Sequence, residues 1–270
     1  MRAVFSVALL SFKEGLRQRV LYGVVLAALL MMSGAVLVSG FFLRDISKVI
    51  LDFSLATVTL GGLTIPLFLA IHMLARDIER RTVFSLLSRP ISRGQYLFGK
   101  FNGLLLLTGL VMLFLSIGVY LSLECGEFLF GERFFVTVSW NSIFAALFLS
   151  FLSVMILNAL AVFWSTLTTS SFLATLLTVF SYVIGHFVDD VVRFLQVNTT
   201  GVEISSSIKQ VVEIAKYSFP NLAAFDVKSV AAHGMVIPLA DVVFLTFYAG
   251  IYCSLLLTLA TIFFRRRDLA

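Results

Sequence analysis

Six stretches of this chain run for roughly the length of a bilayer-spanning helix with almost no charge. They cover about 20–43, 53–75, 101–123, 141–163, 171–188 and 239–264. Five contain no Asp, Glu, Lys or Arg, and the sixth contains only Asp241. A helix needs about 20 mostly apolar residues to cross a bilayer. Lipid offers no partner for backbone N–H and C=O groups, so each run must be helical. The composition agrees: the chain is 60% apolar and 13% charged, against roughly a quarter charged in soluble domains. The expected fold class is an all-α integral membrane protein with six transmembrane helices in one domain over 1–270. The first run is too long for a signal-peptide core, and no small-residue cleavage site follows it.

Charge placement orients the spans. With six spans, both ends and the even-numbered loops share one side. Thirteen of the twenty Lys and Arg residues lie there: Arg2, Lys13, Arg17 and Arg19, then Arg76, Arg80, Arg81, Arg89, Arg93 and Lys100, then Arg265, Arg266 and Arg267. The positive-inside rule puts both termini and the 76–100 loop in the cytoplasm, in the cell inner membrane. The net charge of +5 is thereby a topology signal and asks for no nucleic acid.

Residues 1–19 form a different element. Phe5, Leu9, Phe12 and Leu16 share one helical face, with Lys13, Glu14, Arg17 and Gln18 elsewhere on the wheel. This predicts an amphipathic helix lying in the cytoplasmic interface, against membrane lipid. On the opposite side, 189–238 is the long connection. "VVRFLQV" and "SSSIKQVVEIAKYSF" read as amphipathic helices, Val212, Ala215 and Phe219 share a face, and "FPNLAAFD" reads as a turn. At about 50 residues the segment is small for an independent domain, and it is expected to dip in part into the membrane edge.

Residues 94–100 read "GQYLFGK", one residue short of a phosphate-binding loop. Such a loop follows a strand and places Ser or Thr after the Lys to hold magnesium. Here Phe101 takes that place, Tyr96, Leu97 and Phe98 are bulky, and no strand precedes. ATP is not expected at this stretch. The wider segment "ARDIERRTVFSLLSRPISRGQYLFGKFNG" suits another role. Phe84 and Leu87 share a face with Leu86 close by, Pro90 disfavours helix at Arg89, and a second helix runs on into the membrane. A short helix with apolar anchors and a basic rim suits docking into a partner's groove.

That segment resembles the membrane subunit of ABC-2-type exporters, in which E-x-x-x-T-x-x-x-L-L-x-x-P-[IV]-S-R precedes a G-K at the next span. The matching residues are Glu79, Thr82, Leu86, Leu87, Pro90, Ile91, Ser92, Arg93, Gly99 and Lys100. Thr82 stands one place early, and Arg81 stands where many relatives have Gly. "FKEGLRQR" at 12–19, "FPNLAAFDV" at 219–227 and "FFRRRDL" at 263–269 are similar to further family segments.

The resemblance implies a permease that is not itself an enzyme. It works with two copies of a separate ABC ATPase subunit, which bind ATP and magnesium, and with a second permease copy. No cofactor, catalytic residue or metal site is expected in this chain. The 76–100 loop would carry the coupling helix, with Glu79, Arg80, Arg81, Thr82, Phe84, Leu86, Leu87, Pro90, Ser92 and Arg93 docking the ATPase. The implied function is ATP-driven export, and the 28 Phe residues are compatible with lipid-like or amphipathic cargo. The alternative is a membrane anchor that passes ATPase motion to an extracytoplasmic accessory protein.

Several other polar or small residues fall at membrane depth. Asn158 is expected to make an interhelical hydrogen bond. Gly61, Gly62 and Pro66 suggest a kink or a close helix approach. His72, His186 and Asp241 lie near span ends, where they reach water. His72, His186 and His233 pair with no Cys or Asp at a catalytic spacing, and no H-E-x-x-H occurs, which argues against an intramembrane enzyme. Cys125 and Cys253 imply neither disulfide nor metal.

Overall fold

Lipid-facing helices with small, close-fitting contacts set the architecture. The computed structural model describes residues 2–42, 45–71, 92–136, 138–197 and 206–266. Nearly all of these residues are helical, and among them there is no strand. Helix α1 spans Arg2–Leu16 and α2 spans Arg19–Ser39. Helix α3 covers Ile46–Thr64 and continues as a π-helical turn through Ile65–Ala70. Helix α4 runs Arg93–Phe130, α5 Trp140–Leu167 and α6 Ser171–Val197. On the opposite side from the chain ends lie α7, Ser206–Ser218, and the short α8, Lys228–Ala232. Helix α9, Leu239–Arg266, returns. Six helices are long and apolar enough to cross a membrane: α2, α3 with its π-helical turn, α4, α5, α6 and α9.

Helix α5 is the most enclosed. It packs on α3, α4, α6 and α9, and Val154, Ile156, Leu157, Asn158 and Ala161 on it are fully buried. The outer helices turn large apolar residues away from the protein. On α6, Leu173, Phe180, Phe187 and Phe194 form an exposed stripe; on α9, Phe244, Phe247, Ile251 and Leu255 do so. Apolar surface of this extent would drive aggregation in water, and a lipid environment removes that cost.

The six spans of the sequence reading are all present, with different ends. The third was expected at 101–123, but α4 begins at Arg93 and ends at Phe130. At 1.5 Å per residue its 38 residues reach about 57 Å, well past a hydrocarbon core of about 30 Å. Local chemistry explains both ends. Ser92 Oγ accepts from the Gln95 amide and Gln95 Oε1 accepts from the Ser92 amide, a complete capping box. Gly131 stops the helix at φ 94°, where a side chain would be strained. Residues 93–100, assigned to the loop on composition, therefore belong to the third span.

Candidate functional site

At the exit of the 72–91 segment the start of α4 meets the last turn of α9. Phe264 and Arg265 lie in the last turn of α9, whose carbonyls have no partner within the helix. Arg93 Nη1 donates to both, at 2.9 Å to Phe264 O and 3.1 Å to Arg265 O. Its guanidinium also lies 6.0 Å from the Phe264 ring centroid. A cation at a helix C-terminus is favoured by the helix dipole. Just inside, Tyr96 stacks on Phe264 with ring centroids 6.3 Å apart, and both are buried. At Gly94, a Cβ would come within 3.2 Å of Thr261.

Helix α1 closes on the next two turns of α4. Gly99 and Gly103 are four residues apart and lie on one face. A Cβ on Gly99 would meet Val7 Cβ at 2.6 Å, and one on Gly103 would meet Ala8 O at 2.6 Å. This small-xxx-small arrangement lets two helix backbones approach closely. The matching face of α1 is Val7, Ala8, Ser11 and Gly15, all buried. The expected stripe of Phe5, Leu9, Phe12 and Leu16 is a separate face. Phe5 is 68% exposed and Leu9 40%, while Phe12 and Leu16 are half-buried. Helix α1 thus has a small-residue face on protein, a bulky apolar face turned outward and a polar face.

Lys100, one of the loop cations in the charge count, is 3% exposed, with Nζ 3.4 Å from Glu14 Oε2 and 6.0 Å from the Tyr96 ring centroid. The reason is α1, which folds over α4 and brings its own carboxylate to the ammonium.

Of the expected docking set, Glu79, Arg80, Arg81, Thr82, Phe84, Leu86, Leu87 and Pro90 lie outside the described residues, as does Ile91. Ser92 and Arg93 are described, and both have partners within the chain, as the α4 cap and the α9 clasp. The α1 glycine seam was missed in sequence; its signal, Gly99-x-x-x-Gly103, was there.

Between the membrane faces, Asn158 Nδ2 donates to Thr108 Oγ1 at 2.9 Å, joining α5 to α4 as expected. Its Oδ1 has no hydrogen-bond partner among the described residues. Gly61 and Gly62 are close-approach positions: a Cβ on the first would lie 2.6 Å from Leu115 Cδ1, and one on the second 3.0 Å from Val154 Cγ2. Pro66, which cannot donate a backbone hydrogen bond, falls in the π-helical turn.

On the opposite side, Asn221 is a keystone. Its Nδ2 donates to Asp189 on α6, its Oδ1 accepts from the Ala224 amide, and its backbone N–H donates to Tyr248 Oη on α9 at 3.0 Å. The Leu222 amide donates to Gly185 O at 2.8 Å, and Leu222 and Phe225 are buried. As expected, Val212, Ala215 and Phe219 share a half-buried face. Beside this cap, Asp52, His186, Asp190, Asp226 and Lys228 line an open cavity of about 450 Å³. Asp226 Oδ2 sits 3.3 Å from Lys228 Nζ and 3.8 Å from His186 Nε2. Asp241 lines a second, largely apolar pocket with Val227, Val230 and Phe244. Among the described residues no three His, Cys, Asp or Glu side chains converge as a metal site.

Six apolar helices with lipid-type outer faces define a multi-pass membrane protein. The 72–91 connection runs into α4 where the end of α9 meets it and just before α1 packs along it. A family model described as ABC-2 family transporter protein matches residues 5–269. The chain belongs to that family and is a transmembrane subunit of an ABC transporter. Permeases of this kind are membrane subunits, generally non-catalytic, that work with a separate ATPase and dimerise. No curated protein matches the sequence closely enough to count as a relative.

Proposed function

We propose that this chain is the permease of an exporter in the cytoplasmic membrane, with both termini in the cytoplasm. Two copies of a separate ATPase bind ATP and magnesium and grip the 76–91 part of the loop. Phe84, Leu86 and Leu87 are the buried anchors. Glu79, Arg80, Arg81 and Thr82 make polar contacts, and Pro90 sets the angle between the docking element and α4. A second permease copy completes the transporter. Closure of the ATPase dimer shifts the spans between two arrangements, one admitting cargo and one releasing it.

The observation that carries this reading is the bracing around the loop's exit. A loop that only fixed topology would need no helix clasp, glycine seam and buried lysine. Cargo of lipid-like or amphipathic character fits the apolar groove of about 440 Å³ between α4 and α5, lined by Leu113, Ile117, Phe144 and Leu147. Tyr120 and Trp140 stand in it with ring centroids 5.6 Å apart, and aromatic side chains of this kind favour the membrane–water interface. The anchor alternative needs a free-standing handle on the outer side, whereas Leu222 and Phe225 are buried against the spans.

Co-purification with the ATPase co-expressed from its own gene tests the docking. The pair Phe84→Ala with Leu87→Ala is expected to lose the ATPase, because loss of apolar anchors at an interface can cost several kcal/mol, about 2–4 each. Wild-type yield and turnover in that variant would end the assignment. Stimulation of ATP hydrolysis by amphipathic compounds in the reconstituted complex separates exporter from anchor; stimulation only by an extracytoplasmic protein would favour the anchor.

A further inference from the structure

We infer that Arg93 is a positioning residue that hands movement of the 72–91 segment to the last span. The inference rests on the reading that this segment docks an ATPase. Three observations lead to it. Arg93 stands one residue after the cap that starts α4, so any displacement of the segment reaches it before any other turn of that span. Its guanidinium is committed to two carbonyls of the last turn of α9, 171 and 172 residues away in sequence. Around that clasp the two helix ends fit closely, with Tyr96 on Phe264 and Gly94 against Thr261.

The consequence is mechanical. The first turn of α4 and the last turn of α9 move as one body, and α9 packs along α5, the most enclosed span. A pull on the segment is thereby delivered to two spans distant in sequence. Both bonds come from Nη1, whose two N–H groups are fixed in the guanidinium plane, whereas the donors of a Lys ammonium turn freely at the end of a flexible stem. The role also differs from docking. A docking arginine on the loop's rim would face the ATPase; this one faces its own chain.

The test uses the complete permease–ATPase complex in lipid nanodiscs, compared nucleotide-free and trapped with ATP and vanadate. Hydrogen exchange is followed at 76–91 and at 258–266. In the wild type both regions are expected to change on trapping. In Arg93→Ala the ATPase stays bound and 76–91 still responds. The trapping-dependent change at 258–266 is expected to shrink about fivefold or more, the low end of ordinary coupling between sites. Arg93→Lys should fall between. A trapping response at 258–266 of wild-type size in Arg93→Ala would overturn the inference. So would faster exchange there by the same factor in both nucleotide states, which would mark a merely structural cap. A wild-type complex in which 76–91 does not respond at all would instead sink the docking reading itself.

Discussion

The two ends of the helical bundle are held by different chemistry. At the chain-end side, α1, α4 and α9 meet through missing side chains and helix-end carbonyls: Gly94, Gly99 and Gly103 admit neighbouring helices, and Arg93 joins two termini. At the opposite side, the segment before α9 is tied by the polar groups of Asn221 and by buried Leu222, Phe225 and Ala231, with a close approach at Gly185. The first arrangement leaves the packed backbones little slack, which suits the proposed transfer of movement. The second ties the connecting segment to α6 and α9 and leaves a polar cavity beside it, lined by Asp52, His186 and Asp226.

Substitutions can break this contrast in order of size. Gly103→Leu should do the most damage, because the intruding side chain meets the Ala8 backbone carbonyl, which cannot swing aside. A destabilisation of about 3 kcal/mol or more is expected, at the top of the usual overpacking range. It should appear as a large loss of thermal stability in nanodiscs, together with protease access to α1. Gly185→Ala puts a methyl against Pro220 O and should cost about 1–3 kcal/mol, with α1 still protected from protease. If Gly185→Ala exposes α1, the two ends are not independent.

Asn221→Ala removes the hydrogen bonds to Asp189 and from Ala224. A hydrogen bond to a charged group is worth roughly 1.5–3 kcal/mol, and the half-exposed setting lowers the expectation to about 1 kcal/mol. Faster hydrogen exchange confined to 219–232 would show it; an effect spreading to α4 would contradict the division into two ends. Thr108→Val, which breaks the bond to Asn158 between the ends, is expected to cost least, about 0.6 kcal/mol, the average for such bonds inside membranes. A loss above about 2 kcal/mol in thermal unfolding would mean that the centre, not the ends, holds the bundle.

Much of this was legible in the residues. The six spans follow from uncharged run length, and the Asn158 bond follows from the cost of an unpaired amide in lipid. The overshoot of α4 was less legible. Apolar runs mark where lipid lies, while helix ends are set by caps such as Ser92 with Gln95 and stops such as Gly131. The burial of Lys100 was not legible, because its surroundings come from α1, far away in the chain. The α1 face was half readable: bulky residues advertise a stripe, while the face that packs is made of Val7, Ala8, Ser11 and Gly15, whose small size signals nothing until a partner is known.

By itself, then, the sequence determined that the chain lives in a membrane and how many times it crosses. It did so because lipid forces each span to satisfy its own backbone, which makes helix number a local property. Which helices lie together was decided only in three dimensions. In lipid, apolar surface gains nothing by choosing one helix over another, so the choice falls to close fits and a few polar bonds. Gly99 on Val7, Arg93 on Phe264 and Asn221 on Asp189 are of that kind, and each joins residues that the linear order keeps apart.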